Sequence, residues 1–110
     1  MFGEFKVVHL IGKTEGNEEV FRLIEKELTK KGFIVFRPVF YVIEDYLENR
    51  QIIDRMCYEK LIVADIICIV GVDYIGKSTM YRMKQAISMN KEVMIWNDGR
   101  MVEYNLSEKE

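Results

Sequence analysis

Residues 65–71 read DIICIVG, an uninterrupted run of apolar and mostly β-branched side chains between an aspartate and a glycine. A run this short and this apolar predicts a strand that is buried on both faces, as in the interior of a parallel sheet. Residues 5–12, FKVVHLIG, have the same character, and residues 33–38 and 92–96 are shorter versions of it. Residues 101–106 are predicted to add a short edge strand or to pack as a tail.

Amphipathic segments alternate with these strands. A helix is predicted from residue 18 to residue 31, because Asn17 precedes it as a cap and Gly32 follows it as a stop. Further helices are predicted over residues 48–63 and 77–90, while residues 39–49 fit a loop or a short helix. The residues expected to face the sheet are Val20, Phe21, Ile24 and Leu28 in the first helix, Ile52, Ile53, Met56, Cys57 and Leu61 in the second, and Met80, Met83 and Ile87 in the third.

The alternation of strands and helices predicts an α/β fold. The expected form is a flavodoxin-like or Rossmann-like three-layer sandwich, with a parallel sheet of four or five strands and helices on both faces. We expect a single domain over residues 1–110, with a frayed tail at about residues 104–110. Ligands of such sheets bind beyond the carboxyl ends of the strands. The segments expected to share one crevice there are residues 12–16, 37–41, 71–79 and 97–100.

The composition is that of an ordinary soluble protein. The formal net charge of −2 is unlike the basic balance of nonspecific nucleic-acid binders, so no nucleic-acid partner is expected. The N-terminus lacks the pattern of a signal peptide, and no apolar run is long enough to cross a bilayer. His9 is the only histidine, and Cys57 and Cys68 have no CxxC spacing. We therefore expect a cytoplasmic protein with reduced thiols, no metal site, no cofactor and no membrane partner.

The first strand ends in GKTEG, residues 12–16, at the start of a helix. Backbone N–H groups at a helix N-terminus favour an anion, so Gly12, Lys13 and Thr14 are candidate ligand-binding residues. The alternative is a plain turn, since neither of the glycine-rich phosphate motifs, GxxxxGK[ST] and GxGxxG, is present.

A second candidate turn, GKST at residues 76–79, opens the third helix. The hydroxyls of Ser78 and Thr79, together with Gly76, suit a phosphate or a sugar. The alternative is that Ser78 or Thr79 is an ordinary N-cap.

Five further side chains have positions that require an interpretation. Asp73 and Tyr74 follow the third strand, where a pocket would need an acid and a stacking ring; the alternative is a polar loop with a partly buried tyrosine. His9 lies within the first strand and is a ligand-binding candidate, although a lone strand histidine is more often a hydrogen-bonded core residue. Cys57 has no triad partner and is interpreted as core. Asp65 is interpreted as a structural turn residue.

Two stretches, residues 7–38 and 58–96, resemble the nucleoside 2-deoxyribosyltransferase-like family, in particular its small bacterial and phage-type members with a YIGxST motif. The motif itself reads YIGKST at residues 74–79. The resemblance implies a flavodoxin-like fold, a homodimer or larger assembly, and a nucleoside or nucleotide pocket at the crevice. The other matching positions of the family signature are Lys60, Leu61, Ala64, Asp65, Ala86 and Lys91.

Enzymes of that family cleave or transfer the N-glycosidic bond of a deoxynucleoside, with a glutamate nucleophile on the helix after the third strand. The matching position, four residues before Ala86, is Arg82 in this chain, and no acid occurs between Lys77 and Lys91. An arginine stays protonated and cannot act as the nucleophile. It would instead favour an anion, such as a phosphate on the GKST turn.

The resemblance also breaks at two other catalytic positions. The aspartate that assists the leaving base matches a position at or near Cys57, where Glu59 is the closest carboxylate. The glycine-serine pair of many relatives is replaced by Gly12 and Lys13, with Glu15 nearby.

Three functions remain open from the sequence. The first is a nucleoside- or nucleotide-binding protein that lacks the usual nucleophile. The second is an active nucleoside deoxyribosyltransferase or N-glycosidase that uses another carboxylate, with Asp73, Glu15 and Glu59 as the catalytic candidates. The third is a noncatalytic interaction module whose crevice is incidental.

Overall fold

A computed structural model describes residues 2–38, 46–71 and 75–104 of this chain. Five strands and three helices alternate along the described residues. The strands are β1 (Val7–Gly12), β2 (Ile34–Phe36), β3 (Ile66–Val70), β4 (Glu92–Asn97) and β5 (Arg100–Glu103). The helices are α1 (Glu18–Lys30), α2 (Tyr46–Val63) and α3 (Lys77–Ser88).

The strands form one sheet in the order β2-β1-β3-β4-β5. Strands β1 to β4 run parallel, and β5 pairs with β4 in the antiparallel direction. Asp98 and Gly99 connect β4 to β5 as a tight turn with positive φ at both positions, which is the conformation that suits a two-residue hairpin. The predicted α/β fold is confirmed. Of the two interpretations of residues 101–106, the edge strand is the one observed at the start of this segment, where β5 lies. Residues 97–100 form a hairpin turn.

Two apolar cores lie on opposite faces of the sheet. Alternate residues of β1 separate between them, with Val7 and Ile11 on one face and Val8 and Leu10 on the other. Helix α1 covers the second face with Phe21, Ile24 and Leu28. Helices α2 and α3 cover the first face with Leu61, Met83 and Ala86, and Ala64, directly after α2, joins the same core.

Four predicted inward-facing positions are wrong. In α2, Cys57 and Leu61 are buried as predicted, but Ile52 is 57% exposed and Met56 is 48% exposed. In α1, Val20 is likewise exposed, and in α3 Ile87 is exposed while Met83 is buried. The second helix misleads because it has apolar residues on both its inner and its outer sides, so the pattern does not select one face.

Two predictions about helix caps differ from the structure, one at the start of α1 and one at the start of α3. Asn17 occupies the N-cap position of α1, but its side-chain amide donates to the Lys13 carbonyl at 2.9 Å and makes no capping bond. Helix α3 begins at Lys77 with Gly76 as the N-cap, so Ser78 and Thr79 lie inside the first turn and neither is the cap.

Asp65 joins β1 to β3 through two hydrogen bonds with one residue. Its Oδ2 accepts the Val7 amide hydrogen at 2.7 Å, and its own amide donates to the Val7 carbonyl at 2.8 Å. The Val7 N–H holds the pKa of the Asp65 carboxyl below its usual range, because a hydrogen bond to the charged form favours it. The structural role predicted for Asp65 is therefore a pairing of two central strands.

Candidate functional site

A cleft of about 570 Å³ lies between α2 and α3. Helix α2 supplies two acidic and two arginine side chains and a tyrosine, and helix α3 supplies a second tyrosine and the residues of its first turns. The side chains that line the cleft are Arg50, Asp54, Arg55, Tyr58, Glu59, Lys77, Ser78, Tyr81, Arg82 and Gln85. Of the predicted ligand-binding residues in the described part of the chain, Ser78 and Arg82 are the two that line it.

The first turn of α3 forms one end of the cleft. Lys77 and Ser78 are exposed there, while Thr79 points inward and is buried. The N-cap residue of this helix, Gly76, has no side chain that could cap it. Amide groups at a helix start, next to a lysine and a hydroxyl, suit a phosphate or carboxylate group.

Arg82 extends from α3 towards α2. Its side chain is only 22% exposed, and its Nη2 lies 3.9 Å from Oδ1 of Asp54. Asp54 also pairs with Arg50, at 3.6 Å between Nε and Oδ2. Arg82 therefore faces the cleft, and the pairing with Asp54 limits where its guanidinium can lie.

The cleft has an excess of positive charge. Four cationic side chains and two acidic ones line it, and Asp54 already pairs with two of the cations. Within the described residues, Arg55 and Lys77 make no ion pair. A cleft with this balance attracts an anion more strongly than a neutral ligand.

Two aromatic rings also line the cleft. Tyr58 comes from α2 and Tyr81 from α3, and both are exposed. Gln85 donates to the hydroxyl of Tyr81 at 3.5 Å, a long contact. Tyrosine rings offer a flat surface on which a purine or pyrimidine can stack.

His9 lies beneath the cleft in the sheet rather than in the cleft wall. It is 2% exposed, and its Nδ1 contacts the Phe36 carbonyl oxygen at 3.3 Å. Its pKa is lowered to about 4, mainly by burial and further by the nearby charges of Lys60 and Arg82, while the hydrogen bond to Phe36 acts in the opposite direction. His9 is therefore neutral at physiological pH.

The loop after β1 is separate from the cleft lining. Gly12 has a φ of +146°, and a Cβ there would lie 2.3 Å from the Val70 carbonyl oxygen, so close strand packing requires glycine at this position. Lys13 and Glu15 are exposed, and Thr14 accepts a backbone bond from Asn17. None of these four loop residues, nor Gly76, lines the cleft.

Among the three catalytic candidates, Glu59 lines the cleft and Glu15 does not. Asp73, and with it Tyr74, lies outside the residues that the structure describes. The sequence reasoning missed Asp54, Arg50, Arg55, Tyr58 and Tyr81. The i, i+4 spacing of Arg50 and Asp54 was a usable signal, since it places both charges on one side of α2.

The two cysteine thiols are structural. Cys57 and Cys68 are buried free thiols, and burial raises the pKa of Cys68 to about 12. No group of three or more histidine, cysteine or carboxylate side chains suitable for a metal ion occurs within residues 2–38, 46–71 and 75–104. None of the described helices combines the length and apolar composition that a bilayer span requires.

Searches against protein-family models and against curated proteins found no match to this chain.

Proposed function

We propose that this protein binds a nucleoside phosphate in the cleft between α2 and α3. The single observation that carries the proposal is the inward position of Arg82, beside the start of α3 and the side chains of Lys77 and Ser78. The phosphate would contact these groups, which combine a helix N-terminus with two cations. The base would stack on Tyr58 or Tyr81.

The resemblance to nucleoside 2-deoxyribosyltransferase-like proteins supports the same ligand class. In those enzymes the position of Arg82 holds the nucleophilic glutamate, so the change replaces an anion with a cation at the reacting end of the pocket. A cation there opposes formation of an oxocarbenium-like centre and favours a bound anion. We therefore propose binding without cleavage, and by the same resemblance a homodimer. The two unpaired thiols fit a cytoplasmic location.

Glu59 supports one alternative function, an N-glycosidase or deoxyribosyltransferase. Its carboxylate lines the same cleft as Ser78 and Arg82, so a nucleoside held there would be within reach of a potential nucleophile. Asp54 is less suited to that role because two arginines pair with it. The two functions differ in whether a free base is released.

Binding is tested by isothermal titration with nucleosides and with their 5′-monophosphates, against Arg82→Gln and Lys84→Gln. Both variants remove one cation from α3, but Lys84 is exposed and does not line the cleft. We expect a monophosphate to bind more tightly than its nucleoside. Arg82→Gln should weaken monophosphate binding about tenfold or more, because a charge-assisted hydrogen bond is lost. Equal loss in both variants, or equal affinity for nucleoside and monophosphate, would contradict the proposal.

Catalysis is tested by chromatography of the same mixtures after long incubation at high protein concentration. We expect no free base. Release that is abolished in Glu59→Gln would establish the alternative function. Release in Arg82→Glu alone would show that the cleft holds the sugar at this position and that the arginine suppresses cleavage.

A further inference from the structure

The outer side of α2 carries an apolar surface that the described chain leaves uncovered. Ile52 and Met56 lie one turn apart on this side, and Ile62 and Val63 continue it to the end of the helix. All four are exposed by more than a third of their area. With Phe36 of β2, three of them border a shallow groove of about 540 Å³. We call Ile52, Met56, Ile62 and Val63 the α2 outer face.

This surface is unlike the single apolar side chains that ordinary protein surfaces expose. The inner side of α2 is already occupied, since Cys57 and Leu61 are buried against the sheet. A helix with apolar residues on both sides is typical of one that is covered on both sides. A contiguous apolar patch of this kind marks an interaction surface.

Two charges lie in the middle of the α2 outer face. Arg55 and Glu59 are one helical turn apart, and both border the apolar groove. Within the described residues neither makes an ion pair, although their spacing would permit one. Each therefore remains available for an opposite charge supplied by a partner.

The order of these side chains along α2 favours a second copy of this chain as the partner. If two α2 helices pack in antiparallel fashion about a two-fold axis at the level of Cys57, positions equally far before and after it face each other. That operation brings Arg55 opposite the partner subunit's Glu59, and the same contact occurs again by symmetry. It also brings Ile52 opposite the partner subunit's Ile62.

We propose that the α2 outer face is the interface of a two-fold dimer, held by apolar contacts and by two reciprocal pairs of Arg55 with the partner's Glu59. This proposal is more specific than the expectation of a dimer, because it identifies the helix at the interface and the residues that pair. An unrelated partner would need the same apolar and charge pattern by coincidence, whereas a second copy carries it in α2 itself.

One consequence rests on the proposed function. Arg55 and Glu59 line both the α2–α3 cleft and the groove of the α2 outer face. A second copy docked on α2 would therefore stand beside the open side of the nucleotide cleft. Dimerisation and ligand binding are measured separately, so failure of one leaves the other interpretable.

The experiment is analytical ultracentrifugation over a range of concentrations, with Arg55→Glu, Glu59→Arg and the double variant. Each single reversal places like charges opposite each other at both symmetric contacts. It should raise the dimer dissociation constant about tenfold or more. The double reversal restores opposite charges and should return the constant to within about threefold of the wild type. Lys26→Glu, on the exposed side of α1, is the control with the same charge change.

The result that overturns the proposal is a wild-type protein that stays monomeric at about 100 µM, a concentration at which even a weak specific dimer would be populated. A dimer that is equally stable in the single variants and in the wild type would overturn it too, because the interface would then lie elsewhere. Circular dichroism of each variant checks that the exposed substitutions leave the fold intact. Titration with a nucleoside monophosphate in the same buffers tests the proposed function independently.

Discussion

Helices α1 and α2 cover opposite faces of the same sheet, and their outer sides differ. The outer side of α1 is mostly charged, with an ion pair of 3.0 Å between Arg22 and Glu18, and the exposed apolar residues Val20 and Leu23 of this helix stand near these charges. The outer side of α2 is largely apolar around Arg55 and Glu59. Helix α1 thus has the composition of a helix in an outer layer, whereas α2 has the composition of a helix packed between two layers. This contrast supports the proposal that the outer side of α2, unlike that of α1, packs against a second copy of the chain.

The comparison of α1 with α2 predicts its largest effect for a substitution on the inner side of α1. Phe21→Ala should lower the free energy of unfolding by about 3–5 kcal/mol, because it removes a fully buried ring from the core on that face. Chemical denaturation measures the change. Leu23→Ala on the same helix is the control, since Leu23 is 60% exposed and its loss should cost well under half as much. Similar effects of the two changes would mean that α1 also has a covered outer side.

The face beneath α2 and α3 should respond to acid through His9. Its pKa is about 4 in the folded chain, below the ordinary value of 6.5, so the unfolded state binds the proton first as the pH falls. His9 therefore contributes no pH dependence above pH 6.5 and lowers stability as the pH falls from about 6.5 to about 4. The total loss is about 3 kcal/mol.

Denaturation at a series of pH values, for the wild type and His9→Asn, measures this effect. Asparagine retains a donor for the Phe36 carbonyl but does not titrate, so the difference between the two proteins should shrink as the pH falls towards 4. A constant difference over this range would show that His9 is not the source of the acid sensitivity.

The junction between α2 and β3 supplies a smaller prediction. Asp65→Ala removes the acceptor for the buried Val7 N–H and should lower the free energy of unfolding by about 1–3 kcal/mol. Asp65→Asn keeps an oxygen at the same place and should cost less. Denaturation near neutral pH compares the two. An equal loss would assign the effect to the charge rather than to the hydrogen bond.

The smallest expected effect on the isolated subunit is at the outer side of α2. Ile52→Gln should change the unfolding free energy of dilute protein by less than about 0.5 kcal/mol, since the side chain is 57% exposed. In a dimeric wild type the melting temperature rises with protein concentration, and this dependence should weaken in the variant. A large loss in dilute protein would show instead that Ile52 packs within its own chain.

Much of the fold could be predicted because the local patterns agreed with one another. The apolar run around β3 and the alternation of strands and helices led to the observed sheet. The predicted stop, Gly32, directly follows Lys31, the C-cap of α1. The prediction of the inner face worked best in α1, where a polar side contrasts with an apolar one. It failed in α2, because a helix with two apolar sides carries no internal signal of which side meets the sheet.

The candidate site was less predictable for a related reason. The sequence placed Ser78 and Arg82 correctly on the helix after β3, but it directed attention to the carboxyl ends of the strands, whereas the cleft lies between two helices. Which α2 side chains meet α3 depends on how the helices pack, and spacing within one helix does not determine that. Tyr58 could therefore be recognised only once α2 and α3 were side by side, whereas Asp54 had a signal in the sequence, its i, i+4 spacing from Arg50.

The pair of hydrogen bonds between Asp65 and Val7 has a consequence for the whole sheet. A strand that slips by one residue turns every side chain to the opposite face. Such a slip in β1 would move His9 out from beneath Arg82 and into the α1 core, and would push Leu10 under the cleft. The Asp65 carboxylate pairs the first residue of β1 with the residue before β3. It therefore determines which face of the sheet places His9 beneath the charged cleft and which face carries the apolar core under α1.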